Sequence, residues 1–415
     1  MSSLTTAGYR DALYLPRVPL TFGTALIGRA AYALVLLPLF YAVVEATDSV
    51  ALAGTALALY GATASVLAPA RASLIDRYGA RRVLITLVLL FSATLGALAT
   101  TSWLGGPGLQ LIILAAIAGA VAPPIGPTMR VAWGSLTSNP ELLKKGLSFD
   151  AVVEELLYLV GPAISGVALA FIAPGLALII PAVLVLAGGL LFVATPAVGA
   201  MRSRDAHLVA GGREQPQLRP LILDPRFVGL LLPALIAGSV AGSLSVAVPV
   251  VLATYGGSAA AGIALGLFAG GSALGGLLYG ALKVPGSPAR QLVGLSLALL
   301  ASTSLVAIAT GAVAVSLVLV VAGLFFSPVM IVTYVAAHAS GGEHQQNSAM
   351  TWVNTSHNIG GAAGSALAGV LIQASGVPAA IGGIGLGALV LLVVSAILGG
   401  RSARPAPEAV ALNKV

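Results

Sequence analysis

Five charged residues lie within or at the ends of long apolar segments, where a charge is costly. Arg29 stands nine residues into one segment, and Glu154 and Glu155 stand seven and eight residues into another. Asp150 precedes Glu154 by one helical turn, and Arg130 ends a third segment. An isolated charge in a bilayer costs about 3 to 17 kcal/mol, so such residues are usually paired and functional. Their available chemistry is ion pairing and reversible protonation.

The depth of these residues predicts their partners. At ~1.5 Å of rise per residue, Arg29 reaches the same depth as Glu154 and Glu155, and Arg130 matches Asp150. We therefore predict a buried network in which Arg29 pairs with a glutamate and Arg130 with Asp150. Three acids face two bases, so one carboxylate lacks a dedicated partner and, because burial disfavours the ionised form, would exchange protons near neutral pH. The alternative is a static lattice that only holds the helices together.

A second candidate site is a polar face in the last quarter of the chain. Asn354, His357 and Asn358 recur at the spacing of one helical face, inside an apolar segment. Histidine is the side chain whose charge ordinarily changes near neutral pH. With Tyr158 and Tyr334 these residues form our predicted substrate-binding set. The alternative for the histidine is simple packing.

Composition indicates the environment in which these residues work. The chain has 415 residues, of which 58% are hydrophobic and 8% charged, and its mean hydropathy is +1.02. Soluble proteins carry about 25% charged residues, so this composition predicts a protein embedded in the lipid bilayer. The absence of cysteine excludes disulfides, thiolate metal sites and cysteine nucleophiles. The net charge of +7 is dispersed in short clusters between apolar runs, which excludes a nucleic-acid partner.

Apolar runs of about 20 residues, enough to cross a bilayer as a helix, recur along the whole chain. We predict an all-α membrane protein with twelve spans near residues 20–43, 49–70, 83–103, 108–130, 147–171, 175–197, 227–252, 259–282, 292–311, 313–337, 348–372 and 377–399. The first run is too long for a cleavable signal peptide.

The distribution of basic residues predicts the orientation. If the N-terminus is cytoplasmic, 19 of the 20 lysines and arginines fall on the cytoplasmic side and none in an outer loop. By the positive-inside rule, both termini face the cytoplasm of a multi-pass protein of the inner (plasma) membrane.

The longest polar segment divides the chain into similar halves. We predict a six-helix bundle over 1–198, a cytoplasmic linker over 199–226, a second bundle over 227–399 and a cytoplasmic tail over 400–415. AGTALALYGATAS in the second span matches AGIALGLFAGGSA in the eighth, which aligns Tyr60 with Phe268. VEELLYLVGPAISG in the fifth span matches WVNTSHNIGGAAGS in the eleventh, which aligns Tyr158 with His357 and Glu155 with Asn354. Two matches in the same order indicate duplication.

The connection after the second span reads ASLIDRYGARRVL. It resembles the signature between helices 2 and 3 of the major facilitator superfamily at six positions: Leu74, Asp76, Arg77, Gly79, Arg81 and Leu84. It departs from the signature at Ala72 and Ala80. The resemblance implies two bundles related by a pseudo-two-fold axis, with spans 1, 4, 7 and 10 lining a cavity, span 5 meeting span 8, and span 2 meeting span 11. It also implies a gating loop formed by Asp76, Arg77, Gly79 and Arg81.

The segment GPAISG, residues 161–166, resembles the second half of a signature in proton-coupled drug antiporters of that superfamily. The first half is missing, since Ser148 and Leu157 replace its glycines, and Ala115 stands where the typical arginine would be. Helix packing alone is the alternative account of this segment.

These observations predict a secondary transporter that works by alternating access, monomeric, with a small molecule, protons and the lipid bilayer as its partners. We expect proton-coupled export of small, largely apolar molecules such as drugs or secreted metabolites. The alternative is a symporter or uniporter for a polar metabolite such as a sugar, and a membrane-embedded lipid enzyme is the more distant rival. The sequence lacks GxxxxGK[ST] and HExxH, so we expect no enzyme activity, cofactor or metal.

Overall fold

A computed structural model describes residues 9–137, 140–199, 201, 221–282, 284–340 and 342–400. Every regular element in these ranges is helical, which confirms the all-α fold class. The side chains of Asp76 and Glu155 lie outside the described part of the protein, as do residues 202–220 of the predicted linker and residues 401–415 of the predicted tail.

The first half of the chain forms eleven of the described helices. They are α1 (Tyr9–Leu13), α2 (Val18–Thr47), α3 (Val50–Val66), α4 (Ala68–Tyr78), α5 (Ala80–Trp103), α6 (Gly108–Val121), α7 (Ile125–Leu136), α8 (Pro140–Leu169), α9 (Pro174–Ala177), α10 (Ile179–Ala194) and α11 (Pro196–Gly199).

The second half forms fewer and longer helices. They are α12 (Pro225–Leu252), α13 (Gly257–Ala281), α14 (Pro288–Ser304), α15 (Ala312–Ser340) and α16 (Gly342–Gly400), with short 3-10 turns at Leu221–Leu223 and Leu305–Ala307. Several helices in both halves begin with ordinary capping chemistry. The side chains of Ser49, Asp224 and Ser287 each accept a hydrogen bond from a backbone N–H in the first turn that follows.

Ten helices in the described ranges are long and apolar enough to cross a bilayer, and the bent pair of α3 and α4 can add an eleventh. The longest of the ten, α16, is a hairpin. Gly376 has a left-handed φ of 82°, and the side chain of Leu371 lies 3.6 Å from where a Cβ on Gly383 would stand. In a straight helix those two residues would be about 18 Å apart. Counting the hairpin as two spans fits the predicted twelve.

Two predicted spans of the first half are broken toward their C-terminal ends, where we expected continuous helices. α3 gives way to α4 at Leu67, two residues before Pro69, with a bend of 42°. α6 gives way to α7 at the consecutive residues Pro123 and Pro124. Proline lacks an N–H and disfavours helical geometry in the residue before it. Both breaks therefore leave backbone carbonyls without a partner inside their own helix.

Glycines join the two halves at the end of the bundle remote from the linker, which we call the far end. A Cβ on Gly262 of α13 would lie 2.8 Å from the Cα of Gly166 in α8, and a Cβ on Gly54 of α3 would lie 2.9 Å from the Cα of Gly369 in α16. The side chain of Gln373 also accepts a hydrogen bond from the backbone N–H of Val50, at 2.9 Å. The two halves are thus in backbone contact at the far end, span 5 with span 8 and span 2 with span 11.

Candidate functional site

Four charged side chains of the first half form one ion-pair network. The Arg29 guanidinium lies 2.6 Å from an Asp150 carboxylate oxygen and 3.2 Å from a Glu154 carboxylate oxygen. The Arg130 guanidinium lies 3.4 Å from Asp150 and also contacts Glu154. Each arginine therefore touches both acids. The network contains two positive and two negative groups, so its formal charge is zero when all four are ionised.

Both predicted ion pairs are present, but the hydrogen bonds follow a different pattern. Arg29 donates to Asp150, and Arg130 donates to Glu154. The predicted pairs, Arg29 with Glu154 and Arg130 with Asp150, lie at ion-pair distance without the alignment of a hydrogen bond. Each described acid has partners. The carboxylate that we expected to lack a partner is therefore not one of these two, and the side chain of Glu155 lies outside the described part of the chain.

Three helices position the network. α2 carries Arg29, α7 carries Arg130, and α8 carries both acids, which stand four residues apart on one face. α2 lies close to α10 because Gly28, next to Arg29, packs on the backbone of Gly188 and Gly189. Gly126 at the start of α7 leaves room for the charged groups, since a Cβ there would lie 3.5 Å from Glu154 and 3.6 Å from Arg29.

Exposure changes across the network. Asp150 is fully buried and Arg29 is 3% exposed, whereas Glu154 is 26% exposed and Arg130 is 45% exposed. Phe149 precedes Asp150 on α8, and the ring of Phe22 lies 5.4 Å from that of Phe149 and 5.9 Å from that of Trp133. Glu154 is thus the partly exposed acid of the network, while Asp150 is enclosed.

The polar face of the second half is neutral. Asn354 is exposed, and His357 and Asn358 are half-buried on α16. The His357 ring lies beside the backbone carbonyl of Ala234, and its centroid is 5.7 Å from that of Phe326 in an edge-on contact. Its Nδ1 atom has no hydrogen-bond partner among the described residues. This face is equipped for hydrogen bonds and aromatic contacts.

The two tyrosines of the predicted substrate set lie in different places. Tyr158 is 47% exposed on α8, in the first half, and lies close enough to Tyr60 to interact electrostatically. Tyr334 packs against a small hydrophobic cluster of the second half that includes Phe227 and Val353. The structure therefore places Tyr158 beside Tyr60 of α3 and Tyr334 largely in packing.

Contacts between helices correct the register of the internal repeat. Gly119 lies against the backbone of Tyr60 as Gly323 lies against Phe268, which equates α6–α7 with α15. In the same way, the contacts of Gly262 with Gly166 and of Gly54 with Gly369 equate α8 with the first arm of α16.

With this register Glu154 corresponds to His357, and Arg130 corresponds to Tyr334. Our alignment of Tyr158 with His357, and of Glu155 with Asn354, was wrong by about one helical turn. The match between two apolar glycine-rich segments did not fix their register, whereas backbone contact at the glycines does.

Sequence reasoning missed Arg71, which we had placed among the loop residues. Its side chain is 7% exposed and donates to three backbone carbonyls, those of Gly119 at 3.1 Å, Ala120 at 2.9 Å and Ala64. Tyr32 likewise donates to the carbonyl of Pro123, at 2.5 Å. These carbonyls lie at the broken ends of α3 and α6. The consecutive prolines were the available signal, because a break inside lipid needs donors from elsewhere in the protein.

The predicted gating loop is largely helical. Arg77 lies in α4 with its guanidinium 5.3 Å from the centroid of the Tyr78 ring, and Arg81 is exposed at the start of α5. Gly79 joins the two helices with a φ of 86°, the left-handed conformation that glycine tolerates best. The side chain of Asp76 lies outside the described part of the chain, so its predicted gating role stays a prediction.

A model of the family described as Major Facilitator Superfamily matches residues 20–340. No curated protein matches the sequence. Among solved structures, a mutant of the peptide transporter POT in complex with sulfate has a TM-score of 0.75 and 16% identity over 95% of this chain and 96% of that one. The nucleoside transporter NupG has a TM-score of 0.69 and 13% identity over 91% and 98%. A POT family transporter in complex with 5-aminolevulinic acid has a TM-score of 0.71 and 12% identity over 93% and 96%.

Proposed function

The chain belongs to the Major Facilitator Superfamily, and we propose that it is a proton-coupled transporter that exports small, largely apolar molecules. Family and fold make it a multi-pass membrane transporter, which implies transport rather than enzyme chemistry. Proton coupling, direction and substrate are our proposal. The single observation that carries it is the network of Arg29, Arg130, Asp150 and Glu154, which joins a buried ion pair to a partly exposed one.

The proton step is assigned to Glu154. A proton that binds this carboxylate removes one negative charge from a neutral network and weakens the attraction of Glu154 for both arginines. Arg29 keeps Asp150 as its hydrogen-bonded partner, whereas Arg130 keeps only the unaligned contact with Asp150. Unpairing a charge in a low-dielectric site changes the free energy by several kcal/mol. That is enough to shift an equilibrium between two conformations that differ by a few kcal/mol.

Helix α8 supplies the mechanical link to the far end. It carries Glu154 near its middle and Gly166 near its end, where Gly166 contacts the second half at Gly262. Between them, the Ser165 hydroxyl donates to the Leu34 carbonyl of α2, at 3.0 Å, and Gly161 packs against the backbone of Ala33. A shift of α8 relative to α2 therefore acts on both the charge network and the contact between halves. This position supports a coupling role for the GPAISG segment in addition to packing.

The positive-inside distribution assigns the linker end to the cytoplasm and the far end to the outside. With that orientation, the backbone contacts Gly54–Gly369 and Gly166–Gly262 close the protein to the outside in this conformation. Export then requires these contacts to separate after the substrate has bound from the cytoplasmic side. Protons entering from outside would reach Glu154 in the other conformation and favour the return.

The test uses purified protein in vesicles that contain a pH-sensitive dye. A thermal-shift screen first supplies a ligand, and the ligand is then added under an imposed pH gradient. We expect wild-type protein to couple ligand movement to proton movement. Glu154→Gln should lose the gradient-driven component and keep exchange of labelled for unlabelled ligand, because glutamine preserves the hydrogen-bond acceptor but cannot titrate.

Glu45→Gln is the matched control, since Glu45 is exposed on α2 outside the network. It should transport like the wild type. Full gradient-driven transport by Glu154→Gln would remove Glu154 as the proton carrier, and the same result in Glu155→Gln and in the double mutant would refute proton coupling through this helix.

A symporter or uniporter for a polar metabolite is the second candidate. The observation in its favour is the half-buried His357 with an unpartnered Nδ1 beside Asn358, at the position that corresponds to Glu154. A polar substrate would supply the missing hydrogen bonds. If sugars or nucleosides, but not apolar drugs, raise the melting temperature of the purified protein, and His357→Gln removes that rise, the second candidate replaces the first.

A further inference from the structure

The three carbonyls that Arg71 holds come from two different helices. Ala64 lies in the last turn of α3, and Gly119 and Ala120 lie in the last turn of α6. Helix C-terminal ends carry partial negative charge, so a guanidinium between two such ends is favourably placed. The planar guanidinium presents several donors in a fixed fork, which lets one side chain bridge both ends. Arg71 thereby ties the break in span 2 to the break in span 4.

The break in span 4 determines the position of Arg130. α7 begins at Ile125 directly after the two prolines, and Arg130 follows one and a half turns later. Arg71 fixes the carbonyls before the break, and Tyr32 fixes the carbonyl of Pro123 inside it. Tyr32 also stands three residues after Arg29 on α2. The direction of α7, and with it the place where Arg130 meets the acids, therefore depends on these donors.

The second half supplies an internal control. Equating Tyr60 with Phe268 places Tyr279 at the position of Arg71, and equating Gly119 with Gly323 places Pro328 at the position of Pro124. Neither corresponding span is broken, since α13 runs through Gly257–Ala281 and α15 through Ala312–Ser340. The Tyr279 hydroxyl contacts the side chain of Gln291 instead of helix ends. The half with the buried arginine is the half with both breaks and the charge network.

We propose that Arg71 is a positioning residue for proton coupling, because it holds both helix breaks and so sets where Arg130 meets Asp150 and Glu154. The inference rests on the proposed function of that network. Arg71 touches neither acid, and it acts through α6 and α7.

Among the described residues, different ionisable groups surround Arg71 and Glu154. Near Arg71 they are the phenols of Tyr32 and Tyr60, on α2 and α3. Around Glu154 they are Arg29 from α2, Arg130 from α7 and Asp150 from its own helix α8. Tyr32 interacts electrostatically with both Arg71 and Arg29. Arg71→Lys keeps the positive charge, so a pH response that changes in Arg71→Gln and in Arg71→Lys passes through the helices, whereas one that changes in Arg71→Gln alone reports the lost charge.

The experiment compares Arg71→Gln and Arg71→Lys with Arg82→Gln, a control that removes an exposed arginine at the start of α5. The first measurement is a distance. The chain has no cysteine, so spin labels can be attached to cysteines introduced at Leu20 on α2 and Ser135 on α7, both exposed. We expect a shifted or broadened distance distribution in Arg71→Gln, a partial return in Arg71→Lys because one ammonium cannot bridge both helix ends, and a wild-type distribution in Arg82→Gln.

The second measurement is the pH dependence of gradient-driven transport. Arg71→Gln should move its midpoint by about one pH unit, equivalent to a tenfold change in proton affinity, whereas a purely structural defect would lower the rate at every pH. Should Arg71→Gln fail to fold, Arg71→Ala with and without added guanidinium replaces it, and recovery of transport with guanidinium but not with sodium is expected.

A wild-type distance distribution and a wild-type midpoint in Arg71→Gln would overturn the inference, as would failure of guanidinium to rescue Arg71→Ala. The distance measurement does not depend on proton coupling. A changed distance together with full gradient-driven transport in Glu154→Gln would therefore reject the proposed proton step while retaining Arg71 as the residue that positions α7.

Discussion

The two halves of the molecule share their packing and differ in their chemistry. Both use a glycine of an even-numbered span against the backbone of the opposite half, at Gly54 and at Gly262. In both halves, a glycine of the fourth of the six spans packs against the backbone of an aromatic residue in the second of those spans. These glycines are Gly119 and Gly323. The buried charges, however, are all in the first half: among the described residues of the second half, the buried polar side chains are serines and threonines.

The two halves therefore share their backbone contacts at the far end, whereas the buried carboxylate and guanidinium groups among the described residues lie in the first half. The position of Glu154 is occupied by His357 in the second half, and the position of Arg130 by Tyr334. Both replacements keep hydrogen-bonding capacity without a fixed charge. We interpret the first half as the half that responds to protons and the second as the half that contributes neutral contacts to a substrate.

The largest expected effect comes from breaking the buried pair. Asp150→Leu should lower the free energy of unfolding by about 3–5 kcal/mol, because it leaves the guanidinium of Arg29, 3% exposed, without its hydrogen-bonded partner. Unfolding in mixed micelles, followed by circular dichroism, measures this loss. The double substitution Arg29→Leu with Asp150→Leu should recover much of it, since no charge is then buried alone. A loss of unfolding free energy below about 1 kcal/mol in the single variant would show that the buried pair does not stabilise the first half.

A somewhat smaller effect is expected at the contact that the halves share. Gly262→Ala places a methyl group 2.8 Å from the Cα of Gly166, and such overpacking costs about 1–3 kcal/mol. Because this contact closes the far end, the substitution should favour the conformation in which the far end is open. Cysteine crosslinking between α8 and α13 would report the change as a loss of crosslinked product.

Gly54→Ala and Gly61→Ala form a matched pair on α3 for the same test. A Cβ on Gly54 would meet the backbone of Ser365, whereas a Cβ on Gly61 would meet nothing within 4 Å. Gly61→Ala should be neutral or slightly stabilising, as alanine in a helix usually is. Equal behaviour of the two variants would mean that the close approach at the far end does not resist an added methyl group.

Much of this arrangement follows from the sequence for clear physical reasons. Apolar run length predicts spans because the bilayer has a fixed thickness. Depth along a helix brought Arg29 to Glu154 and Arg130 to Asp150, because each helix rises by a constant amount per residue. The glycine of the turn at Gly79 was recognisable because few other residues adopt a φ of 86°.

What could not be predicted depends on contacts between helices. The exchange of hydrogen-bonding partners, with Arg29 on Asp150, could not be predicted because both acids lie on one face of α8 and each arginine reaches both, so depth does not choose between them. The role of Arg71 depends on carbonyls that become available only when two separate spans break at the same level. The register of the repeat depends on which glycine meets which backbone, and a local match between small residues does not determine it.

A smaller effect on stability is expected at His357. Its substitution tests whether the second half contributes to ligand binding and not to proton coupling. His357→Gln keeps a hydrogen-bonding side chain on the half-buried face, so the free energy of unfolding should change by less than about 1 kcal/mol. Gradient-driven proton movement should persist, because the titrating groups lie in the first half, while the ligand concentration for half-maximal transport should rise. Loss of proton coupling in His357→Gln would contradict the assignment of proton coupling to the first half, since both halves would then titrate.

Asp76→Asn is expected to have the smallest effect on stability. It tests whether a contact of Asp76 closes the linker end, as the glycine contacts close the far end. In the described conformation the backbone contacts between spans 2 and 11 lie at the far end, at Gly54 and Gly369. The resemblance of the α4–α5 connection to the family signature motivates the expectation that Asp76 holds the linker end of the same two spans in the opposite conformation. Insertion and unfolding should therefore stay at wild-type values, because the contact expected of Asp76 acts in the opposite conformation.

Transport by Asp76→Asn should nevertheless fall several-fold, because the conformation closed at the linker end is less populated when that contact is weakened. Accessibility of a cysteine introduced at Ser73, exposed on α4, to a thiol reagent added from the linker side measures that population in the presence of ligand. Accessibility should rise in Asp76→Asn and stay unchanged in Arg82→Gln, which alters a neighbouring charge outside the predicted gating residues. Wild-type accessibility and wild-type transport in Asp76→Asn would contradict the expected role of Asp76. Glycine packing would then close the far end, and residues other than Asp76 would close the linker end.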